Sequence, residues 1–126
     1  MRGRTQTTWW GVVIEAPDPG ALARFYSQVL GWPLVKDEPE WAAIAPEETV
    51  SYVAFSRSRE YVPPVWPPEE GSQQMMMHID VAVDELDAAM AHAMELGATL
   101  AAYQPQPDVR VMLDPAGHPF CLYLDM

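Results

Sequence analysis

The sequence predicts an α+β protein built twice on one β-α-β-β-β plan. In each half, a β-rich run precedes a helix whose apolar residues recur at helical spacing, and each helix ends at a glycine, Gly31 or Gly97. Three short β-rich segments follow each glycine. The chain has 126 residues, 49% of them hydrophobic, which is enough for one domain with a sizeable core.

The first module is predicted over residues 7–56 and opens with a strand over 9–16. Asp18 is suited to cap the following helix and Pro19 to occupy its first position. After Gly31, the β-rich segments predict strands over 34–36, 41–44 and 50–56.

A proline-rich linker is predicted over residues 57–74, where we expect Trp66 to anchor the segment. The second module then covers residues 75–126. It has a strand over 77–83, a helix capped by Asp84 and closed by Gly97, and further strands over 99–103, 109–113 and 120–124.

Composition excludes several classes of function. The net charge of −11 repels a phosphate backbone, so we expect no nucleic-acid partner. No apolar run is long enough to span a membrane and no secretion signal is recognisable, so we expect a cytoplasmic protein with no membrane partner. A single cysteine excludes an internal disulfide and a cysteine-cluster metal site.

Four motifs occur in a fixed order: Phe25-Tyr26 before Leu30-Gly31-Trp32, then His78-Ile79-Asp80-Val81, Leu96-Gly97-Ala98, and the run from Asp114 to Leu122. This arrangement resembles the vicinal oxygen chelate superfamily, the glyoxalase and bleomycin-resistance fold, over residues 9–124. The resemblance implies that residues 1–126 form a single domain. Its two modules would form an open eight-stranded mixed barrel around a central cup, and the chain would pair as a homodimer.

Enzymes of this superfamily hold a divalent metal in the cup with histidine and glutamate ligands. The resemblance places those positions at Gly11, within 52–56, at His78 and at Cys121. Only His78 matches a family ligand, so we expect no metal of the usual kind and no other cofactor. An unusual metal site that uses His78 and Cys121 stays open.

Strand alternation predicts which side chains share the cup with His78. The predicted ligand-binding residues are Trp9, Val13, Glu15, His78, Asp80, Cys121 and Tyr123. The mixture of apolar walls and few polar groups is typical of a small-molecule pocket. Asp80 and Glu15 could complement a cation, and the two aromatic rings could stack on it.

His78 and Asp80 are also the candidate catalytic pair for acid–base chemistry. The plainer alternative is that both are polar groups that simply hydrogen-bond within the cup. Cys121 has no basic neighbour in the sequence, which favours a small apolar role over that of a nucleophile.

Three functions remain open from the sequence. The first is metal-independent binding of a small, cationic or aromatic molecule, as in the drug-sequestering members of the superfamily. The second is a metal- or histidine-dependent lyase, isomerase or dioxygenase that acts on a small oxygenated substrate. The third is a partner-binding module without small-molecule chemistry, which an exposed apolar patch would favour.

Overall fold

The computed structural model describes residues 1–124; Asp125 and Met126, at the end of the predicted second module, lie outside the described residues. The chain forms two compact units, residues 1–61 and the residues from 62 onward. The predicted α+β class and the doubled β-α-β-β-β plan are confirmed. In chain order the elements are β1 (Trp10–Ala16), α1 (Pro19–Leu30), β2 (Leu34–Glu38), β3 (Trp41–Ile44), β4 (Ser51–Arg57), β5 (Ile79–Val83), α2 (Leu86–Glu95), β6 (Thr99–Leu100), β7 (Val109–Leu113) and β8 (Pro119–Leu124).

The first unit is a four-stranded sheet in the order β1-β4-β3-β2 with α1 on one face. β1 and β4 are parallel, and the other neighbours are antiparallel. The buried ring of Tyr26 on α1 stacks on Phe55 of β4, with ring centroids 5.8 Å apart. We call the face turned away from the helix the far face. Because side chains alternate along a strand, β1 presents Gly11, Val13 and Glu15 on the far face.

Helix α1 forms where the sequence predicts it. The Asp18 carboxylate accepts a hydrogen bond from the Ala21 N–H at 3.1 Å and so satisfies one free donor of the first turn. At the other end Gly31 has φ 71°, a left-handed conformation that glycine adopts without strain, and its N–H donates to the Ser27 carbonyl at 2.9 Å.

The second unit repeats this arrangement in the order β5-β8-β7-β6, again with the first and last strands of the unit parallel. Helix α2 buries Leu86 and Ala93. Phe120 and Leu122 of β8 are buried in the core. The intervening residue Cys121 therefore points to the far face.

One predicted cap is wrong. Helix α2 begins at Leu86, so Glu85 rather than Asp84 occupies the cap position, and its side chain makes no capping hydrogen bond. The short Asp84 carboxylate stands one residue too early to cap the first turn.

Three strands are shorter than predicted. β1 begins at Trp10 rather than at residue 9. β5 begins at Ile79, which leaves His78 just before the strand. β6 ends at Leu100 instead of continuing to residue 103. The Ala101 N–H makes one further backbone bond, to the Val111 carbonyl, and the Gln104 side chain bonds to both residues. Its amide nitrogen donates to the carbonyls of Ala101 and Val111, and its oxygen accepts from the Val111 N–H, each at 2.8 Å.

Within the second unit, Trp66 of the proline-rich segment packs against Tyr103. The Trp66 indole donates to the Tyr103 carbonyl at 3.1 Å, and the two rings lie 6.0 Å apart. The prediction that Trp66 anchors this segment is therefore confirmed. Within the described part of the chain, neither helix has the length and the apolar character needed to cross a bilayer.

Candidate functional site

Three of the predicted site residues of the second unit lie together because of strand register. Asp80 of β5 stands directly opposite Cys121 of β8. His78 precedes Asp80 by two residues and lies on the same side of the chain, so its ring reaches the carboxylate. The Nε2 atom of His78 lies 3.0 Å from Oδ1 of Asp80. One ligating atom of each of His78, Asp80 and Cys121 lies within 4.8 Å of the others.

The thiol of Cys121 interacts with the Asp80 carboxylate. Burial, together with the negative charge of Asp80 and a hydrogen bond to it, raises the pKa of Cys121 to about 11. The group is therefore a protonated thiol at neutral pH. A thiol that stays protonated is a poor nucleophile, in agreement with the expectation that Cys121 is not one.

A cleft of about 230 Å³ opens over these three residues. Tyr123, also on the far face, forms part of its wall. Four further lining residues were not predicted from the sequence: Gln106, Asp108, Val109 and Leu124. The antiparallel pairing of Val109 with Tyr123 brings this segment to the cleft.

The position of Asp108 depends on two backbone features. Its carbonyl accepts from the Leu124 N–H at 3.2 Å, which fixes the entry to β7 beside the last strand. The Gln104 amide holds the preceding loop closed. Arg110 is opposite Leu122 and so lies on the other face of β7, where its guanidinium donates to the carbonyls of Pro107 and Val109.

The lining of the cleft is acidic. Two of its lining residues, Asp80 and Asp108, are carboxylates, and none of those that line it in the described chain is a lysine or arginine. The side chains of His78 and Asp80 are 37% and 57% exposed, so a ligand can reach both.

Two predicted site residues of the first unit, Val13 and Glu15, are exposed on the far face of its sheet. The third, Trp9, is also exposed and stands just before β1. The ring of Trp9 lies 6.2 Å from that of Tyr52, at an angle of 47°. Tyr52 was not singled out from the sequence, although its pairing with Gly11 places it on the same face.

His118 is a structural residue of a turn. Its ring Nδ1 lies 2.9 Å from the buried Asp114 carboxylate, which also accepts from the N–H groups of Ala116 and His118. These bonds close the turn between β7 and β8. His118 therefore does not join the cleft.

A larger and shallower depression lies beside α2. It measures about 670 Å³ and is lined by Ala82, Val83, Asp84, Glu85, Ala88, Ala89 and His92. None of its lining residues is a phenylalanine, tyrosine or tryptophan, and only His92 among them is a base. Its alanine-rich wall offers little to hold a ligand in one orientation, so we do not assign a site there.

The family model described as a glyoxalase-like domain matches residues 11–123, almost the whole chain. The chain belongs to the glyoxalase-like domain family. This confirms the resemblance to the vicinal oxygen chelate superfamily. No match was found among curated proteins.

Solved structures share the fold of this glyoxalase-like chain at low sequence identity. A glyoxalase/bleomycin resistance protein/dioxygenase family enzyme from Burkholderia phytofirmans PsJN is 20% identical, with a TM-score of 0.67 over 92% of this chain and 97% of that one. Fosfomycin resistance protein FosX from Mesorhizobium loti is 14% identical, with a TM-score of 0.65 over 100% and 94%. The antibiotic binding protein TnmS3 from Streptomyces sp. CB03234 is 16% identical, with a TM-score of 0.55 over 100% of both chains.

The positions at which superfamily enzymes carry metal ligands can be compared with the residues that this glyoxalase-like chain has there. Gly11 has no ligating atom, and a Cβ added to it would lie only 2.6 Å from Cζ of Tyr52. The residue of β4 that corresponds to Cys121 is Ala54, which is fully buried. These residues do not fit the family's four-ligand metal set, and we derive no chemistry through it.

Proposed function

We propose that this glyoxalase-like protein binds a small organic cation with an aromatic part in the cleft of its second unit, without the four-ligand metal centre of superfamily enzymes. The observation that carries the proposal is the convergence of Asp80, Asp108 and the Tyr123 ring on one cleft whose lining contains no lysine or arginine among the described residues. Trp9, Val13 and Glu15 remain predicted ligand contacts.

The negative charge of the cleft favours a positively charged ligand. Two carboxylates stabilise a positive charge placed between them, and the chain's net charge of −11 raises the local concentration of cations. An anionic ligand would meet repulsion from both carboxylates. This argument favours a cation over the anionic phosphates and carboxylates that basic pockets bind.

The aromatic and apolar groups of the cleft favour a flat ligand. The Tyr123 ring offers a face on which a flat cation can stack, and Val109 and Leu124 supply apolar contact. The cleft volume of about 230 Å³ accommodates a ring system rather than a peptide. The similarity to an antibiotic binding protein supports a ligand-holding role for this fold, without identifying the ligand.

The experiment is a calorimetric titration of untagged protein with N-methylquinolinium, in a buffer that contains a chelator. The anionic naphthalene-2-sulfonate is the matched probe of opposite charge. We expect the cation to bind and the anion not to bind. Asp80→Asn and Asp108→Asn should each weaken binding twofold to fivefold, the effect of about 0.5–1 kcal/mol expected for a partly exposed charge pair.

The control variant is Glu95→Gln, which removes one exposed carboxylate of α2 outside the cleft. It should leave the affinity unchanged, because salt largely screens an exposed charge that lies outside the cleft. Equal binding of both probes, or equal weakening by all three variants, would refute the proposal.

One observation supports a second candidate, an enzyme of the superfamily. The hydrogen bond of 3.0 Å between His78 and Asp80 orients the imidazole at the cleft, as acid–base catalysis requires. If Nε2 donates to Asp80, Nδ1 is the atom that would take a proton from a carbon beside a carbonyl. Deuterium exchange into a small ketone or hydroxyketone, abolished in His78→Ala, would favour this lyase or isomerase function over binding alone.

A further inference from the structure

We propose that His78, Asp80 and Cys121 form a binding site for one thiophilic divalent cation, of which Zn²⁺ is the representative, held entirely by the second unit. Two of its donors, His78 and Cys121, stand at positions where the resemblance places family ligands. Asp80 does not, and the family's full set, which draws on both modules, is not retained in this chain. The inference goes beyond the proposed function because it requires no organic ligand.

The spacing of the donor atoms supports the site. Zn²⁺ binds sulfur at about 2.3 Å and nitrogen or oxygen at about 2.0–2.2 Å, so the donors of a tetrahedral site lie about 3.5 Å apart. The three candidate atoms already lie within 4.8 Å of one another. Small side-chain rotations would bring them into range, and the His78–Asp80 hydrogen bond would give way to two metal bonds.

The backbone limits how far the donors can separate. Asp80 and Cys121 face each other across a parallel strand pair, and His78 immediately precedes the same strand as Asp80. Sites carried by paired strands hold their geometry better than sites on loops. The donors also lie in an open cleft, so an ion can enter from solvent.

The chemical types of the three donor atoms determine which metal ions the site favours. Sulfur and imidazole ligands favour Zn²⁺ and similar ions, whereas Mg²⁺ and Ca²⁺ prefer oxygen ligands in larger number. Binding of the ion would displace the thiol proton of Cys121 to solvent, and the resulting thiolate, together with the Asp80 carboxylate, would balance the charge of the ion. Three protein ligands leave a fourth position for water or for an atom of a bound molecule.

The experiment uses untagged, chelator-stripped full-length protein and two metal probes. Calorimetric titration with Zn²⁺ gives the stoichiometry, for which we expect one ion per chain. Titration with Co²⁺ gives an absorption spectrum, for which we expect a sulfur-to-cobalt charge-transfer band in the near ultraviolet. Cys121 is the only cysteine of the chain, so such a band can come from no other residue.

Variants then assign the ligands. Cys121→Ser should abolish the charge-transfer band, and Cys121→Ser, Asp80→Asn and His78→Ala should each weaken Zn²⁺ binding at least tenfold. His92→Ala removes an exposed histidine of α2 that lies outside the cleft, and it should bind Zn²⁺ as wild type does.

Two results would overturn the inference. One is a wild-type protein that shows no charge-transfer band with excess Co²⁺; this readout does not depend on any variant being folded. The other is full Zn²⁺ affinity in Cys121→Ser. Either outcome leaves the proposed binding of an organic cation standing, because that titration is carried out in chelator.

Discussion

The ring of Tyr52 occupies the space that a side chain at position 11 would need. Gly11 of β1 pairs with Tyr52 of β4, and a Cβ built on the glycine would overlap the ring. The same ring lies beside Trp9. Where superfamily enzymes carry a metal-binding histidine, this chain therefore has an aromatic surface, and the glycine is what allows it.

Gly11→Ala is expected to lower the free energy of unfolding by about 1–3 kcal/mol, because the added methyl group overpacks the site against Tyr52. Alanine is otherwise the better strand residue by about 0.5–1 kcal/mol, so a loss of stability identifies the steric cause. Denaturant unfolding of both proteins measures the difference.

The control is the same substitution in a Tyr52→Ala background, where the ring is gone. There Gly11→Ala should be neutral or stabilising. An equal loss of stability in both backgrounds would show that Tyr52 is not the obstacle.

Local signals in the sequence predicted most of the fold. Asp18, Pro19 and Gly31 mark the ends of α1 by cap and turn chemistry that needs no tertiary partner. Strand alternation likewise placed Asp80 and Cys121 on one face, and the structure puts them opposite each other. These features depend on neighbours along the chain, which the sequence displays directly.

The missed features depend on contacts between distant residues. Asp108, which lines the cleft, follows a loop that Gln104 closes by bonding to Val111, and its carbonyl accepts a hydrogen bond from the Leu124 N–H. Tyr52 matters only through its contact with Gly11. Contacts between residues that are far apart in the chain leave no local pattern in the sequence from which they could be predicted. The homodimer and the cytoplasmic location stay predictions.

Cys121 should react slowly with iodoacetamide at pH 8. Its pKa is raised from 9.0 to about 11, so the reactive thiolate is about a hundredfold less populated than in an unperturbed cysteine. Asp80→Asn removes the charge that contributes to this shift, although burial, its larger cause, remains. We therefore expect a severalfold faster reaction in Asp80→Asn, measured by mass spectrometry, and an unchanged rate in Asp108→Asn.

Asp114→Ala should lower the free energy of unfolding by about 1–3 kcal/mol, since it leaves the N–H groups of Ala116 and His118 without their acceptor. His118→Ala, which preserves both backbone bonds, should cost less. Thermal and denaturant unfolding compare the two. A larger loss from the histidine substitution would contradict the view that the carboxylate closes this turn.

Zn²⁺ and an organic cation should compete. Both use the Asp80 carboxylate, and an ion bound there would cancel the negative charge that attracts the second cation. The apparent dissociation constant of N-methylquinolinium should therefore rise with Zn²⁺ concentration. In Cys121→Ser the rise should require at least tenfold more Zn²⁺, and an organic affinity independent of Zn²⁺ in the wild type would contradict a shared site.

The most direct test of metal-independent binding in the cleft is a chelator-containing titration of ¹⁵N-labelled protein with N-methylquinolinium, followed by amide chemical shifts. The account predicts saturable shifts concentrated at Asp80, Asp108, Cys121 and Tyr123, the residues that line the cleft. Shifts confined to α2 and its adjoining depression, or no saturable shifts at all, would contradict it.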